Sequence, residues 1–289
     1  MELKYIVDST STNLKEILRE KLSISERLYK KIKINHIFIN GMRFDYLTKL
    51  SVGDIITINL DFDENNSNII ANNDIHLNIL YEDEWLLIID KPSGIPVHPS
   101  FNHYNDSLSN GVKYYYDIIG LHQPIRPVNR LDNGTSGIVI FAKSEYIQEN
   151  LRNYIKEYIA VIIGHLDGAG TIDKPIARKK DSIIERCISD DGDRAITNYE
   201  VVKNIDNYIY EIDLSVVKCK LETGRTHQIR VHFASIGHPL LGDTLYGTAS
   251  KLISRQALHA YHIHFTHPVT RKEIDIYSEI PYDIKSIIK

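Results

Sequence analysis

Residues 126–143 read RPVNRLDNGTSGIVIFAK. A polar turn rich in Gly, Ser and Thr runs into an apolar stretch, Ile138 to Ala142, whose β-branched and aromatic side chains predict a buried strand. Asp132 lies at the mouth of that strand, and Arg130 precedes it by two residues. Asp-Asn-Gly is also a common hairpin sequence, so a plain turn explains the stretch when it is considered alone.

The overall charge gives little reason to expect a nucleic-acid binder, but its distribution does. The chain of 289 residues is 43% apolar, which suits one large domain or a domain with a small appendage, and its formal net charge is −4. Residues 13–49 nevertheless hold nine Lys or Arg against four Asp or Glu. A basic N-terminal piece is therefore attached to an acidic body.

Cysteine usage and hydropathy predict a reduced, cytoplasmic protein. Lys4 and Asp8 interrupt the apolar residues at the N-terminus, so we expect no secretory signal there. The longest apolar runs, such as residues 158–163, are too short to cross a bilayer. The two cysteines, Cys187 and Cys219, lack metal-ligand spacing, so we expect ordinary thiols.

The basic N-terminal piece has the pattern of a small α+β unit. Residues 13–33 carry two segments of helical spacing, and Ser23 with Glu26 three residues later fits a capping box between them. Short strands are predicted at residues 37–39 and 55–58. Two helices followed by a small β unit resemble the alpha-L RNA-binding motif of ribosomal protein S-four type. A generic cap with a solvated basic face is the alternative.

Composition divides the chain near residue 73. Residues 61–74 are rich in Asp, Asn, Glu and Ser, which is the composition of a linker, so we expect one domain at 1–73 and another at 74–289. Strands outnumber helices in the second domain and no βαβ alternation is present. This pattern predicts an α+β fold with a largely antiparallel sheet. One of its strands is predicted over residues 157–164, with Tyr158 near its start.

A second polar stretch lies late in the chain. Residues 220–232 read KLETGRTHQIRVH, where a Thr-Gly turn starts a helix or strand that carries two Arg, two His and one Gln. Such a density of hydrogen-bond donors suits carboxylates, phosphates or base edges. The same side chains are also suited to capping backbone groups, and the residues alone leave both interpretations open.

Three stretches together resemble the RluA-type pseudouridine synthase family. They are NRLDNGTSG at 129–137, KEYIA at 156–160 and LETGRTHQIRVH at 221–232. Supporting similarity comes from DKPSG at 90–94, GDTLYG at 242–247 and HAY at 259–261. The stretches occur in the family's order, and the resemblance covers residues 74–289.

The resemblance implies an RNA uridine isomerase. In this family the glycosidic bond of a uridine is broken, the uracil turns while bound, and it rejoins the ribose through carbon 5. The implied fold is a mixed-sheet catalytic domain with a central cleft, and the reaction needs no cofactor or metal. The implied partner is RNA, with large-subunit ribosomal RNA as the first expectation and transfer RNA as the second. We expect the protein to act as a monomer, away from membranes.

Catalytic roles for Asp132, Tyr158 and Arg225 also follow from the resemblance. Asp132 would be the catalytic carboxylate, which either attacks the anomeric carbon or removes a ribose proton. Arg225 would pair with Asp132 and keep it ionised. Tyr158 would pack on the target base and accept the carbon-5 proton late in the cycle. Without the family, Arg225 is a surface residue at a helix start and Tyr158 an ordinary strand aromatic.

Five further residues are expected to bind RNA, namely Arg130, Leu221, His227, Gln228 and Arg230. Arg130 would fill the gap left by the flipped nucleotide, because base-modifying enzymes take their target out of the stack. Leu221 would line the pocket beneath the base. The polar residues from His227 onward, with His232, either touch RNA or cap backbone groups.

The chain departs from the family pattern at two places. Asn129 stands where members usually have His before the Arg-Leu-Asp. The connection between the helix ending near Ile155 and the strand with Tyr158 is shorter than usual, which bears on the register of Tyr158.

A metal site is the first rival interpretation. It would use His259, His262, His264 and His267. On a strand, His262 and His264 share one face and the other two histidines point to the opposite face. No Cys or carboxylate completes a ligand set, so we expect no metal.

Two rivals concern the reaction itself. A non-catalytic RNA-binding protein that keeps the fold would be favoured by loss of Asp132, Tyr158 or Arg225, but all three are present. A glycoside or nucleoside hydrolase would need a second carboxylate across the scissile bond, for which Asp90 and Asp243 are the candidates.

Overall fold

The computed structural model describes residues 1–8, 13–45, 49–61, 69–151, 153–207 and 212–289. The predicted linker therefore lies partly outside the described residues. The N-terminal elements are β1 (Glu2–Ile6), α1 (Leu14–Glu20), α2 (Glu26–Ile32), β2 (Ile37–Ile39), β3 (Met42–Arg43) and β4 (Ile55–Asn59). Their strands form an antiparallel sheet in the order β1-β4-β2-β3, and the two strands predicted here are confirmed.

The start of α2 differs from the prediction. Ser25 is the capping residue, with extended backbone angles, and its hydroxyl accepts a hydrogen bond from the Leu28 amide at 3.0 Å. Ser23 has a φ of 53°, in the left-handed region, so it belongs to the turn before the helix. The capping box of Ser23 with Glu26 is wrong, because a cap needs extended backbone angles and Glu26 is already the first helical residue.

The body is built mainly of strands. They are β5 (Asn78–Glu82), β6 (Leu86–Lys91), β7 (Arg126–Pro127), β8 (Ser136–Ala142), β9 (Ile155–Ile163), β10 (Ala169–Asp173), β11 (Ile176–Arg178), β12 (Arg186–Ile188), β13 (Ile196–Asn207), β14 (Ile212–Leu221), β15 (Leu258–Thr266) and β16 (Glu273–Tyr277). The helices are α3 (Leu108–Ile118), α4 (Glu145–Asn150), α5 (Gln228–Ser235) and α6 (Tyr282–Ile288). In the described part of the chain, no helix combines the length and apolar character needed to span a bilayer.

Ten of these strands form one sheet. Its main path is β10-β13-β14-β9-β15-β8-β6-β5, with β16 beside β15 and β7 beside β8. Among the described pairings, β15 with β8 is parallel and the others are antiparallel. β11 and β12 form a separate hairpin. The fold is therefore α+β with a largely antiparallel mixed sheet, as the sequence predicts.

Strand β8 lies at the centre of the sheet, and it is buried along its whole length. Ile138 and Ile140 belong to the apolar cluster on one face, and Val139 and Phe141 belong to the cluster that contains Tyr158 on the other. Burial on both faces explains why this stretch is continuously apolar rather than alternating. Each such side chain contributes roughly 1.5–3 kcal/mol to folding. The predicted strand at 138–142 is confirmed.

The N-terminal elements pack against one face of the large sheet. Leu28 and Ile32 of α2 belong to the same apolar cluster as Trp85 and Ile147 of the body. Beside this cluster, two cations from α2 contact the carboxylate of Glu145, which is nearly fully buried at the start of α4: Arg27 at 2.8 Å and Lys31 at 2.5 Å. The division into domains at 1–73 and 74–289 stays a prediction.

Candidate active site

Asp132 lies in the turn that leads from β7 into β8. Its backbone carbonyl accepts a hydrogen bond from the Thr135 amide at 3.0 Å, which closes the turn. The preceding Leu131 is buried and anchors the turn in the apolar cluster that contains Tyr158. The Asp132 side chain is 20% exposed, so the carboxylate reaches the surface of a cleft from a fixed backbone.

Buried cations hold the carbonyls of this turn from below. The Lys91 ammonium donates to the carbonyl of Asn133 at 3.2 Å, and the Gly94 amide donates to the same oxygen at 2.9 Å. The Arg255 guanidinium donates to the carbonyl of Gly134 at 2.9 Å. The turn is therefore preorganised by donors from one fully buried and one largely buried side chain.

Asn129 also fixes the turn. Its side-chain amide donates to the carbonyl of Ile138 at 2.9 Å and accepts from the amide of Ile140 at 2.8 Å. The amide group thus pairs with β8 as a strand backbone would. Asn129 therefore has a structural role, which is to hold the start of the turn against β8.

Arg230, and not Arg225, is the partner of Asp132. The Arg230 Nη1 atom lies 3.3 Å from Asp132 Oδ2, while its Nε and Nη2 donate to the two oxygens of Asp243 at 2.7 and 2.8 Å. Burial opposes the charge of Arg230, but hydrogen bonds and charge from Asp243 and Asp132 outweigh it and raise its pKa. The guanidinium therefore stays charged next to Asp132.

Arg225 faces away from Asp132. Its Nε donates to the carbonyl of Arg194 at 3.1 Å, and its Nη1 lies 3.4 Å from Asp193. The predicted pair of Arg225 with Asp132 is wrong because helix α5 begins only at Gln228. Arg225 lies in the turn before the helix, whereas Arg230 lies in the first helical turn and points into the cleft.

Tyr158 lies on β9, between β14 and β15, and its side chain is 6% exposed. It lines the same two cavities as Asp132. Burial, together with nearby Tyr154 and Asp132, raises the pKa of its hydroxyl. The phenol is therefore protonated at neutral pH and acts as a donor until a stronger base takes its proton.

Gln228 has a structural role instead of the predicted RNA contact. Its Oε1 accepts from the Thr223 hydroxyl at 2.8 Å and the Arg225 amide at 2.9 Å. Its Nε2 donates to the carbonyl of Ile196 at 2.9 Å and the hydroxyl of Thr197 at 3.1 Å. Its donors and acceptors are used within the protein, so no donor remains for RNA.

Arg230, predicted to bind RNA, and His232, for which RNA contact or capping was left open, are also buried. Arg230 directs Nε, Nη1 and Nη2 at the carboxylates of Asp243 and Asp132, so its contacts are with the protein and not with RNA. His232 is fully buried, and its ring nitrogens lie 2.9 Å from the Thr197 hydroxyl and 3.0 Å from the Lys174 carbonyl. His232 therefore caps groups inside the protein.

The cleft above Asp132 has a volume of about 420 Å³. Arg130, Leu221 and Arg225 line it together with Asp132 and Tyr158. Its wall also carries His98, Tyr154 and Lys156, which were not singled out from the sequence. The Lys156 ammonium lies 5.0 Å from the centre of the Tyr154 ring. Residues two apart on a strand share a face, so the position of Lys156 two residues before Tyr158 was the sequence signal that Lys156 faces the cleft. The cleft therefore offers several cations and two aromatic rings around one carboxylate.

The four histidines of the rival metal site do not converge. His259 contacts the hydroxyls of Ser136 and Ser278, and His262 lies between the carboxylates of Glu157 and Asp275. Within the described ranges, the group with metal-ligand spacing is His165, Asp206 and Asp213, and all three are exposed.

The carboxylates of the rival hydrolase are not available either. Asp243 is fully buried and tied to Arg230, so it cannot activate a water molecule. Asp90 accepts a hydrogen bond from Asn78 at 3.3 Å across the β5–β6 pair and does not line the cleft. Asp132 is thus the carboxylate that the cleft presents.

Comparison with known proteins identifies the family of the chain. The profile of the RNA pseudouridylate synthase family matches residues 85–235. The chain is 38% identical over 278 residues to YjbO of Bacillus subtilis, which is named as an uncharacterized RNA pseudouridine synthase. The aligned region covers 93% of this chain and 96% of that protein. The chain is 32% identical over 284 residues to the ribosomal large subunit pseudouridine synthase D of Escherichia coli K12. This alignment covers 91% of the chain and 85% of the Escherichia coli protein.

A second enzyme of that name and a solved structure extend the comparison. The ribosomal large subunit pseudouridine synthase D of Zymomonas mobilis is 37% identical over 237 residues, covering 75% of this chain and 73% of that protein. The human RNA pseudouridylate synthase domain containing 1 has a TM-score of 0.59 at 24% identity, over 72% of this chain and 84% of that chain. The human structure supports the fold alone.

Proposed function

Because the chain belongs to the RNA pseudouridylate synthase family and is therefore an RNA pseudouridine synthase, an isomerase, we propose that it modifies specific uridines of large-subunit ribosomal RNA with Asp132 as the catalytic carboxylate. The assignment of Asp132 rests on the position of its carboxylate. It lies in a cavity that Tyr158 also lines, and it contacts the charged guanidinium of Arg230. The guanidinium orients the carboxylate, which both nucleophilic attack and proton removal require.

Tyr158 and Arg230 have separate parts in this proposal. Tyr158 packs on the uracil while the glycosidic bond is broken. Once the base has turned and carbon 5 has bonded to the ribose, the hydroxyl relays the carbon-5 proton to water, giving up its own proton as it takes that one. Arg230 holds the Asp132 carboxylate in position through the contact of its Nη1 with Oδ2. Asp132 either attacks the anomeric carbon or removes a ribose proton, and both routes need the same ionised carboxylate.

The cleft cations bind the RNA strand in this proposal. Arg130 and Arg225 are exposed at its rim, where they suit phosphate groups on either side of a flipped nucleotide. Leu221 lies on the wall beneath the base. The basic residues of α1 and α2 add contacts to RNA at a distance from the cleft.

Ribosomal RNA is proposed as the substrate because relatives that match most of this chain are named for the large ribosomal subunit. A cytoplasmic location belongs to the same proposal, and the two free thiols Cys187 and Cys219 suit it. Transfer RNA is the alternative that the substrate experiment separates.

The reaction is tested with Asp132→Asn, which is nearly isosteric and equally suited to the turn. We expect no release of tritium from RNA labelled at carbon 5 of uracil, with RNA binding retained because phosphate contacts dominate affinity. A folded Asp132→Asn protein that still releases tritium would refute the assignment of Asp132.

The substrate is tested by mapping pseudouridines across total RNA in cells that lack the protein. The missing positions should lie in large-subunit ribosomal RNA and return with the wild-type chain, but not with Asp132→Asn. Missing positions in transfer RNA alone would assign the alternative substrate and leave the role of Asp132 intact.

A further inference from the structure

Loop 242–247 contacts both of the groups that face Asp132. Asp243, within this loop, binds the guanidinium of Arg230 through two hydrogen bonds. Tyr246, three residues later, lies 2.8 Å from His227 through its hydroxyl, and its ring lies 5.0 Å from the Arg230 guanidinium. His227 Nε2 lies 3.8 Å from Asp132 Oδ1, on the opposite carboxylate oxygen from Arg230.

The hydrogen bonds of Tyr246 determine the tautomer of His227. The Arg186 backbone amide lies 2.8 Å from the Tyr246 hydroxyl and can only donate to it. The hydroxyl proton then needs an acceptor, and His227 Nδ1 lies at 2.8 Å. Nδ1 is therefore unprotonated, and the imidazole proton is on Nε2, the nitrogen that faces Asp132.

We propose that Tyr246 positions His227 as a neutral hydrogen-bond donor to Asp132, so that each oxygen of the catalytic carboxylate has its own donor. Arg230 holds Oδ2, and the Nε2–H of His227 holds Oδ1. The distance of 3.8 Å exceeds that of a hydrogen bond, and such contacts in unliganded sites often tighten when substrate binds. This inference rests on the proposed catalytic role of Asp132.

Burial, more than the surrounding charges, favours the neutral ring of His227. Burial is the largest influence and lowers its pKa; Asp132 raises the pKa, Arg230 and Arg186 lower it, and Asp243 raises it. These groups come from the Asp132 turn, α5, β12 and loop 242–247, and Tyr246 completes the surroundings. Acid would place a second proton on Nδ1, where it opposes the hydroxyl proton of Tyr246. We therefore expect activity to fall on the acid side as His227 becomes charged.

Three variants test the proposal through the pH dependence of single-turnover rates at saturating RNA. His227→Ala should lower the rate about tenfold, as expected for loss of one hydrogen bond to a charged group. His227→Gln should restore part of this loss and move the acid limb to lower pH, because its amide donates but does not titrate. Tyr246→Phe removes the donor to Nδ1 that favours the neutral ring, so the acid limb should move to higher pH.

The control is Tyr115→Phe, which removes a hydroxyl that donates to Glu82 at 2.6 Å, outside the cleft. Its pH profile should match wild type. In ¹⁵N spectra of the ring nitrogens, the His227 signal, identified by its absence in His227→Gln, should show the Nε2–H tautomer. An Nδ1–H tautomer, or wild-type acid limbs in both His227→Gln and Tyr246→Phe, would overturn the inference. An inactive Asp132→Asn alongside those results would leave the proposed function standing.

Discussion

Arg225 and Arg230 carry the same charge five residues apart in the sequence, yet Arg230 is the one that contacts Asp132. We expect Arg230→Gln to abolish turnover and to destabilise the fold by about 3–5 kcal/mol, because it leaves the buried Asp243 without its partner. Arg225→Gln is the matched change. Its side chain is largely exposed, so the fold should keep its stability while RNA affinity falls.

Thermal unfolding, single-turnover rates and binding titrations on the two glutamine variants separate these effects. An active, stable Arg230→Gln protein would contradict the pairing seen in the structure.

The family resemblance predicts Asp132 as the catalytic carboxylate, but it assigns the wrong partner. The local pattern, a polar turn before a continuous apolar run, predicts the strand that follows Asp132 and is equally explained by a hairpin. The choice between Arg225 and Arg230 depends on where α5 begins. That start is set by His227, whose φ of 58° is left-handed, and by the contacts of Gln228 with β13. These contacts are distant in sequence, so local spacing does not reveal them.

Lys91 is a second residue whose role the structure reveals. Its ammonium is fully buried and donates to the carbonyls of Pro92, Ile95 and Asn133. Burial, and then the nearby Arg255, lowers the pKa of Lys91 to about 7. Between about pH 7 and the ordinary value of 10.5, the unfolded chain therefore binds a proton that the folded chain does not.

For this reason we expect the difference in unfolding free energy between wild type and Lys91→Met to grow in favour of the wild type as the pH rises above about 7. The slope should be up to about 1.4 kcal/mol per pH unit. Below pH 7 the difference should be constant. Lys91→Met should also slow turnover, because the carbonyl of Asn133 loses a donor next to Asp132. Urea unfolding from pH 6 to 10 measures the first effect, and a pH-independent difference would argue against a depressed pKa.

At the scale of elements, Arg255 connects the turn that carries Asp132 to helix α6. Arg255 donates to the Gly134 carbonyl from one end of its guanidinium and binds Asp283 of α6 through Nε and Nη2 at 2.7 and 3.0 Å. Its own position in the sequence, in a loop before β15, gave no indication of this contact.

We expect Asp283→Asn to lower the turnover rate while leaving RNA affinity unchanged, because the guanidinium loses a charged partner and positions Gly134 less firmly. Lys285→Gln, on the exposed side of the same helix, is the control and should behave as wild type. Equal rates for Asp283→Asn and wild type at saturating RNA would show that α6 has no influence on the turn.

Strands were the elements that could be predicted best. The apolar run before Lys143 and the strand with Tyr158 are both in place, since their burial imposes a simple pattern on the sequence. The cap of α2 was displaced by two residues because Ser23 and Ser25 are both chemically suited to it. Only the backbone angles, which the packing of the turn decides, distinguish them.

At the scale of the whole molecule, the basic residues of α2 serve two purposes. Lys31 lies 2.5 Å from the buried Glu145 of the body, whereas Lys30 is exposed to solvent. We expect Lys31→Gln to lower stability, because Glu145 loses one of its two cations. Lys30→Gln should leave stability unchanged and reduce the salt slope of RNA binding by about one, as for a lost phosphate contact.

Unfolding curves and binding at several salt concentrations check this pair of lysine variants. A salt slope equal to wild type in Lys30→Gln would mean that this part of α2 does not hold RNA.

The central position of β15 has a consequence for synthesis of the chain on the ribosome. β15 lies between β9 and β8, although its residues, Leu258–Thr266, are made long after both. Until they emerge, the nascent chain has two half-sheets with unpaired edges, a state prone to pairing with other chains. The strand with Tyr158 and the strand that follows the Asp132 turn are joined only when that later segment inserts between them. Each molecule should therefore acquire its activity only after β15 has emerged, and remain vulnerable to aggregation until then.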